Sequence, residues 1–293
     1  MEAFIAYLEA GIVSGSIYAL IGIGMNLLLV VSNVVQFAYG EIVVISMYAC
    51  WFVLKAGGGF PLAFLTAVVC ASLLTLLVEP LLRGLRERKL LTETLVMTIA
   101  VGLILTDVMA VFLNSGLPIA FPGSLVGGGW DANFGLIRIT AADIYVVAAS
   151  LGLMMGLVWF LLKTRPGKGL RAIAHNIQAA RLLGIPLKRG TVLAFLLAGL
   201  MSGVTSLLFI LTMGVATPEL GEHVTFKGMA VMMLGGMGSL KGAVAGGFLL
   251  GLIECLVRGY FIGDWVDAIA MGAIMIVIIV KPDGLFGTAR AHG

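Results

Sequence analysis

The sequence contains few charged residues for its length. Only 11% of its 293 residues are Asp, Glu, Lys or Arg, whereas 60% are hydrophobic, and the mean hydropathy is +1.12. Because soluble domains carry about a quarter charged residues, this composition excludes a soluble globular protein. It predicts an all-α fold, a polytopic membrane helical bundle. The net charge of +3 is also too small to indicate a nucleic-acid partner.

Signatures of nucleotide binding, metal binding and hydrolysis are missing as well. Gly167 and Lys168 resemble part of a phosphate-binding loop, but that motif needs Gly at position 162 and Ser or Thr at position 169. The chain has Leu162 and Gly169 there. The three cysteines lie within apolar runs without metal-ligand spacing, and neither HExxH nor GxSxG occurs. We expect no enzyme activity, no cofactor and no metal in this chain.

What the sequence does contain is a series of apolar runs. Nine runs cover about residues 7–31, 34–54, 62–82, 92–113, 141–162, 191–213, 226–240, 242–260 and 265–280. Since a helix needs about 20 apolar residues to cross a bilayer, we expect one transmembrane domain, residues 1–293, with eight or nine transmembrane helices, some short or broken. The seventh run is barely long enough to cross. If it is re-entrant, eight helices cross and both chain ends lie on one side.

The basic residues predict the orientation of the bundle. If all nine runs cross and residues 163–189 are cytoplasmic, fourteen of the 18 Lys and Arg residues lie inside, at positions 83, 86, 88, 89, 163, 165, 168, 171, 181, 188, 189, 241, 281 and 290. Only Lys55, Arg138, Lys227 and Arg258 then lie outside. Because Lys and Arg favour the cytoplasmic side, we expect the amino terminus outside and the carboxyl terminus inside.

The polar interval from Lys163 to Arg189 contains a short helix with defined ends. Asn176 can cap its free amides, residues 177–183 can coil, and Gly184 followed by Pro186 stops the coil. At a rise of about 1.5 Å per residue, such a helix is only about 10 Å long. Two turns are not stable alone in water, so the helix needs a surface that receives it.

One face of this interval is apolar. Ile173, Ile177 and Ala180 recur at helical spacing, whereas Arg171 and Arg181 point elsewhere. An amphipathic element held between membrane anchors suits docking into the groove of a partner, with Ala180 on the docking face. An ordinary basic cytoplasmic loop is the alternative.

A polar segment between the first two runs, SNVVQFAYGE, lies near a predicted membrane boundary. It contains Asn33, Gln36, Tyr39 and Glu41. In one interpretation these groups line a water-filled path, because a carboxylate that faces lipid is costly and usually turns inward. In the other, Asn33 caps the second helix and Glu41 lies at the level of the lipid headgroups. Both interpretations stay open here.

A glycine cluster follows the seventh run. Gly235, Gly236 and Gly238 are expected to interrupt the backbone. Along the next run, small residues stand four apart, at Gly242 and Gly246 and at Gly247 and Gly251. Broken backbone at membrane depth needs surrounding protein or a water cavity, which favours a place in the bundle interior. Simple close packing of helices needs the same glycines and is the alternative.

Four segments of the chain, taken in order, carry a family resemblance. They are GIVSGSIYALIGIGMNLLLV with SNVVQFAYGE, then TRPGKGLRAIAHNIQAARLLGI, then TPELGEHVTFKGMAVMMLGGMGSLKGAVAGGFLLGLIE, and finally KPDGLFG. Together they resemble the H-type permease subunits of branched-chain amino acid ABC transporters over nearly the whole chain. The resemblance implies an importer with a second, M-type permease subunit, two cytoplasmic ATPase subunits that bind ATP, and a periplasmic solute-binding protein. It also implies a multi-pass location in the bacterial inner membrane.

Two parts of the chain have expected roles, the first implied by the resemblance and the second by the polar segment and the glycine cluster described above. Residues 163–190, here called the coupling segment, correspond to the element that enters the ATPase groove in that family. The coupling residues expected on this basis are Asn176, Gln178, Ala179, Ala180, Arg181, Leu183 and Gly184. The expected translocation path or gate consists of Asn33, Gln36, Tyr39, Glu41, Gly235, Gly236 and Gly238.

Two positions depart from the family pattern. Where the family commonly has Asn-Phe-Ala-His-Gly-Glu, this chain has Gln36 and Tyr39 in place of the Asn and the His. Because similar permeases carry urea, short amides or aromatic acids, these cargoes stay open beside branched-chain and related hydrophobic amino acids. A rival from another class is an ion-coupled secondary transporter or channel, with Glu41, Asp107 or Glu254 as coupling carboxylates.

Overall fold

The computed structural model describes residues 2–88, 90–113, 117–123, 131–134, 137–260, 271–272, 275–276, 279, 281 and 284–286. Within these residues lie the helices α1 (Glu2–Ser32), α2 (Tyr39–Lys55), α3 (Phe60–Glu87), α4 (Leu91–Phe112), α5 (Ala141–Lys163), α6 (Arg165–His175), α7 (Ile177–Leu182), α8 (Leu187–Met213), α9 (Leu220–Gly235) and α10 (Leu240–Tyr260). The short strands are β1 (Ile119–Ala120), β2 (Asp131–Phe134), β3 (Ile137–Thr140) and β4 (Val215–Ala216).

Six of the described helices are long and apolar enough to cross a membrane. They are α1, α3, α4, α5, α8 and α10, and each corresponds to one of the predicted apolar runs. The predicted all-α polytopic membrane bundle is confirmed. The ninth predicted run, about residues 265–280, lies for the most part outside the described residues.

The spanning helices divide into an inner and an outer group. The apolar windows of α1 and α8 are 83% and 78% buried, so these two helices form the centre of the bundle. The windows of α3, α4 and α5 are only 22–28% buried. Their exposed side chains are mostly aliphatic, for example Leu77 and Leu103, which suits contact with lipid acyl chains or with another membrane helix.

Helices α1 and α10 pack against each other through small residues. A Cβ atom on Gly15 of α1 would lie 2.8 Å from the Cα atom of Phe248, and one on Gly251 of α10 would overlap the backbone of Gly15. The glycine spacing therefore does bring two backbones into direct contact, as in other membrane helix pairs.

Helices α2 and α9 are shorter than their neighbours and do not match the predicted runs. α2 begins at Tyr39, five residues later than predicted, because α1 ends at Asn33 with a positive φ of 56° and the next residues are not helical. α9 begins at Leu220, six residues earlier than predicted, directly after the turn at Pro218 and Glu219. Their 17 and 16 residues give lengths of about 25 Å, less than the roughly 30 Å of a hydrocarbon core.

Short strand pairs connect the loops on the side predicted to be outside. β1 pairs antiparallel with β4, with Ile119 opposite Ala216, and so joins the loop after α4 to the connection after α8. β2 and β3 form an antiparallel hairpin before α5. Both pairs lie in or against the segment 114–140, which the sequence predicted to be an external loop.

Candidate functional site

The α2 helix begins near half the depth of the bundle. The hydroxyl of Tyr39, its first residue, donates a hydrogen bond of 3.3 Å to the carbonyl of Ala198, which is about halfway along α8. The carboxyl group of Glu41 lies beside Gly102, about halfway along α4; a Cβ on Gly102 would be 3.5 Å from the carboxyl carbon. Two spanning helices therefore place the start of α2 in the middle of the bundle.

The beginning of α9 meets the beginning of α2 at this depth. The hydroxyl of Thr225 accepts a hydrogen bond of 2.9 Å from the amide of Gly40. It also lies 3.0 Å from the carbonyl of Phe37 and 3.3 Å from a carboxylate oxygen of Glu41. A Cβ on Gly221 would lie 3.0 Å from the Cα atom of Glu41, so the backbones touch. We call residues 37–41 together with Gly221 and Thr225 the central junction.

Two amino-terminal helix ends thus meet inside the bundle. Such ends carry free amides and a partial positive charge, and in transporters built from broken helices they lie where the transported solute binds. The buried carboxylate of Glu41 offsets part of this charge. The chain on either side, residues 34–38 and 214–219, is non-helical and completes each crossing.

The structure contradicts one of the two interpretations of the SNVVQFAYGE segment. Asn33 does not cap α2; it is exposed, and the residue at the cap position is Ala38, with no side-chain hydrogen bond. Glu41 is buried at half depth and so does not lie at the headgroup level. The headgroup interpretation is therefore wrong. Gln36 is buried too, and no described residue forms a hydrogen bond with its amide.

One face of α9 is exposed beside the central junction. Glu222 and His223 directly follow Gly221, and their side chains are exposed, as is that of Phe226 one turn later. The sequence patterns described above assign no role to Glu222 or His223. An exposed carboxylate at this depth is unfavourable against lipid, so this face requires water or a second protein chain beside it.

A buried polar network joins α1, α9 and α10. Glu254 of α10 is 2% exposed and accepts hydrogen bonds from Tyr18 at 2.8 Å, from Lys227 at 2.8 Å and from Arg258 at 2.7 Å. Lys227 also donates to the hydroxyl of Tyr18 at 2.9 Å. A carboxylate away from water is tolerated only with such partners, and the network therefore ties α9 to the two helices beside it.

The position of Lys227 in this network changes the number of basic residues counted on the outer side. The sequence predicts Lys227 on the outer side, because the seventh apolar run begins at Phe226. In the structure Lys227 lies in the middle of α9 and its ammonium group points into the bundle. Hence only Lys55, Arg138 and Arg258 remain as basic residues on the side predicted to be outside.

The glycine cluster does interrupt the backbone, as predicted. Gly236 and Gly238 have φ angles of 102° and 91°, which end α9 and separate it from α10. The buried side chain of Asn26 in α1 holds this loop, since its amide donates to the carbonyl of Ser239 at 3.2 Å and accepts from the amide of Gly238 at 2.7 Å. The sequence patterns did not single out Asn26, because it is one polar residue within a long apolar run.

The described residues 284–286 of the KPDGLFG motif lie against the same loop. The amide of Leu285 donates to the carbonyl of Leu234 at 2.8 Å, and the amide of Phe286 donates to the carbonyl of Gly235 at 3.0 Å. These carbonyls end α9 and have no partners within the helix. The motif near the carboxyl terminus therefore completes the end of α9.

The short helix of the coupling segment is α7, and its ends are as predicted. The side chain of Asn176 accepts hydrogen bonds from the amides of Gln178 at 2.9 Å and Ala179 at 3.0 Å. At the other end, Gly184 has a φ of 72°, and the amides of Gly184 and Ile185 donate to carbonyls of the last helical turn. This is a Schellman motif, which stops the helix.

The apolar face of the coupling segment, however, packs inward. Ile173 of α6 and Ala180 of α7 are 3% and 1% exposed, so they hold the segment against the rest of the same chain. The prediction that Ala180 lies on an exposed docking face is wrong. Helical spacing shows that apolar residues share a face, but it does not show whether that face meets the chain's own bundle or a partner.

Two leucines at the tip of the segment are exposed instead. Leu182 and Leu183 are 88% and 77% exposed, and Ile177 is partly exposed. Among the remaining predicted coupling residues, Asn176, Gln178, Ala179, Arg181 and Gly184 are exposed as well. Large aliphatic side chains at the tip of a short, rigid helix form a small apolar surface that can insert into a groove.

Comparison with known proteins places the chain in a family. Residues 7–279 match the family described as branched-chain amino acid transport system, permease component. The chain belongs to this family. The permease is 30% identical to the high-affinity branched-chain amino acid transport system permease protein LivH of Escherichia coli over an alignment 302 positions long, which covers 98% of the permease and 97% of LivH.

Other relatives span similar lengths. The permease is 28% identical to the high-affinity branched-chain amino acid transport system permease protein BraD of Pseudomonas aeruginosa, over 97% of the permease and 96% of BraD. It is 23% identical to the autoinducer 2 import system permease protein LsrC of an Enterobacter species, over 99% of the permease and 83% of LsrC. The family resemblance drawn from the sequence motifs is confirmed. The permease is thus a multi-pass transport protein of the inner membrane.

Proposed function

We propose that the permease is a membrane subunit of an ATP-driven importer that moves branched-chain amino acids delivered by a periplasmic binding protein. In this complex it pairs with a second, M-type permease subunit and with two cytoplasmic ATPase subunits, which bind and hydrolyse the ATP. The relatives named for branched-chain amino acid transport match it over nearly their full length, which supports the cargo class.

The exposed tip of the coupling segment carries this proposal. Leu182 and Leu183 point away from the bundle, while Ala180 on the same short helix is buried against it. The tip is therefore firmly attached on one side and uncovered on the other. An ATPase groove that accepts the two leucines would cover apolar surface that otherwise stays in water.

The mechanism follows from linkage between the coupling segment and the path. The ATPases shift the permease between two states only if they bind the tip differently in each, because equal affinity for both states shifts nothing. The coupling segment leads directly into α8, whose midpoint holds Tyr39 at the central junction. Movement of the tip is thereby connected to the place where α2 and α9 meet.

The exposed face of α9 is the proposed wall of the path. Glu222 and His223 lie beside the central junction, and a second permease subunit that faces them would enclose a polar channel. Gly235, Gly236 and Gly238 lie at the inner end of the same helix. They form the proposed inner gate.

The cargo itself is the finer part of the proposal. Gln36 and Tyr39 stand in the central junction or next to it, so their departure from the family pattern bears on the solute. Urea, short amides and aromatic acids are the alternatives within the family.

The ion-coupled rival is weakened by the contacts of its carboxylates. Glu254 is already paired with Lys227 and Arg258. Asp107 lies near the end of α4 and is exposed. Glu41 alone remains in a position where an ion could reach the path.

Reconstitution in proteoliposomes tests the proposal. With the sister permease, the ATPases and the binding protein present, uptake of radiolabelled leucine should require ATP, and urea, acetamide and benzoate should not compete. Omission of the ATPases is the control and should leave only background uptake. Uptake driven by an ion gradient through the permease alone would contradict the proposal, and so would labelling that places residues 163–189 outside the cell.

A further inference from the structure

A cavity of about 800 Å³ opens on the side of the bundle that is predicted to be cytoplasmic. It lies between the ends of α1 and α5, the helix α6 and the start of α10. Its deeper wall is apolar and consists of side chains near the ends of the spanning helices, among them Leu27, Val31 and Leu161. The cavity is therefore continuous with the apolar part of the bundle.

The outer part of the cavity is basic. Lys168, Arg171 and His175 line it from one face of α6, because residues three and four apart lie on the same side of a helix. Lys241 lines it from α10. No described lining residue is acidic. Within the described part of the chain, none of these side chains forms a salt bridge.

The backbone adds positive potential at the same place. Ser239 and Leu240, at the amino-terminal end of the 21-residue helix α10, belong to the lining. A helix end of this kind favours a negative group beside it. The loop before α10 is held in place, because Asn26 binds both the amide of Gly238 and the carbonyl of Ser239.

We propose that this cavity binds the phosphate group of an anionic phospholipid from the inner leaflet. The opening is surrounded by cations, and these have no acidic partner among the described residues. Basic pockets between membrane helices on the cytoplasmic side are known to bind lipid headgroups. A soluble phosphate shares this chemistry with the headgroup. The apolar part of the lining favours the lipid, because the partly exposed Val30 and Leu240 and the exposed Met237 give the start of an acyl chain a surface to contact.

Such a lipid would connect two parts of the permease. Its phosphate would bridge α6, which leads into the coupling segment tip, and α10, which begins at the glycine loop. The cavity is separate from the central junction and from the exposed leucines, so this inference does not depend on the identity of the transported solute.

Lipid binding by the purified full-length permease tests the site. Native mass spectrometry with short-chain phosphatidylglycerol and phosphatidylcholine would compare the natural chain with the variant Lys168→Gln, Arg171→Gln and Lys241→Gln. The matched control is Arg181→Gln, Lys188→Gln and Arg189→Gln, which removes the same charge from exposed positions outside the cavity. We expect binding of phosphatidylglycerol to weaken about tenfold or more in the cavity variant and to change about twofold or less in the control.

The remaining outcomes separate the sources of the phosphate. Equal weakening in both variants would show general surface attraction and would overturn the site. Equal binding of the two lipids by the natural chain would overturn it as well. Inorganic phosphate is the third probe: if it binds the natural chain but not the cavity variant and displaces phosphatidylglycerol, the phosphate chemistry stands and the lipid assignment falls.

Discussion

The central junction and the coupling segment differ in how completely their side chains are surrounded by other residues of the same chain. Around the central junction, the hydroxyl of Thr225 bonds to two backbone groups, and the nearby carboxylate of Glu254 has three partners. At the tip of the coupling segment, Leu182 and Leu183 remain almost fully exposed. The first region is largely complete within one chain, and the second is not.

This difference separates two kinds of function. A region whose polar groups are satisfied internally is held together by contacts within its own chain, so damage there should first lower stability. A region that leaves apolar groups in water should be needed for assembly, so damage there should leave stability unchanged. The face of α9 with Glu222 lies between the two cases, because it adjoins the complete region and is itself uncovered.

The largest expected effect is at the tip. Replacing both Leu182→Asp and Leu183→Asp should abolish ATP-dependent uptake, because two carboxylates cannot enter an apolar groove without losing their hydration. The thermal midpoint of the purified permease should stay within about 2 °C, since exposed substitutions away from special features change stability little. Uptake in proteoliposomes and differential scanning fluorimetry measure the two quantities.

The matched variant for this pair is Ala180→Arg. Because Ala180 is buried, the arginine should disrupt the packing of α7 on the bundle and lower the thermal midpoint, which the leucine changes should not do. If Ala180→Arg leaves the midpoint unchanged and the leucine changes lower it, the assignment of the two faces is reversed.

A smaller effect is expected in the buried network. Lys227→Met leaves the carboxylate of Glu254 without one of its buried partners, and such a loss costs about 3–5 kcal/mol of folding free energy when the pair is buried. The thermal midpoint in detergent should fall clearly. Lys188→Met, at an exposed position, is the control and should have no measurable effect.

A double variant sharpens this test. Adding Glu254→Gln to Lys227→Met removes a buried carboxylate that keeps only Tyr18 and the largely exposed Arg258 as partners, so the double variant should be more stable than Lys227→Met alone. Strictly additive losses would show that the two side chains do not act as a pair.

The smallest expected effect is at the hydroxyl of Thr225. Thr225→Val keeps the shape but leaves the carbonyl of Phe37 and the amide of Gly40 without this partner, which costs about 1–3 kcal/mol. Thr66→Val, at an exposed threonine in α3, is the control and should cost less than about 0.5 kcal/mol. Equal shifts in the two thermal midpoints would mean that Thr225 does not hold the central junction together.

Local signals in the sequence predicted the local features well. The apolar runs correctly predicted the six described spanning helices, because the length that a helix needs to cross a bilayer is set by the thickness of the hydrocarbon core. Asn176 and Gly184 correctly predicted the two ends of α7, because helix capping depends on residues that are close together in the chain. The glycines at four-residue spacing gave the close contact between α1 and α10.

Features that depend on distant contacts were not predictable in the same way. The starts of α2 and α9 are set by the hydrogen bonds of Thr225 to a segment more than 180 residues away. The burial of Lys227 depends on Glu254 and Tyr18, which lie on other helices. The bounds of an apolar run therefore placed Lys227 on the outer side, and helical spacing placed Ala180 on the docking face.

The reactivity of single cysteines in a chain without its native cysteines tests the central claim most directly. In the permease alone, Leu182→Cys should react rapidly with a water-soluble maleimide and Ala180→Cys should not. In the transport-active complex with its ATPases, the reaction at position 182 should be lost, because the tip is then covered. A cysteine at position 182 that stays fully reactive in a complex capable of ATP-driven uptake would show that the ATPases do not drive the permease through this tip.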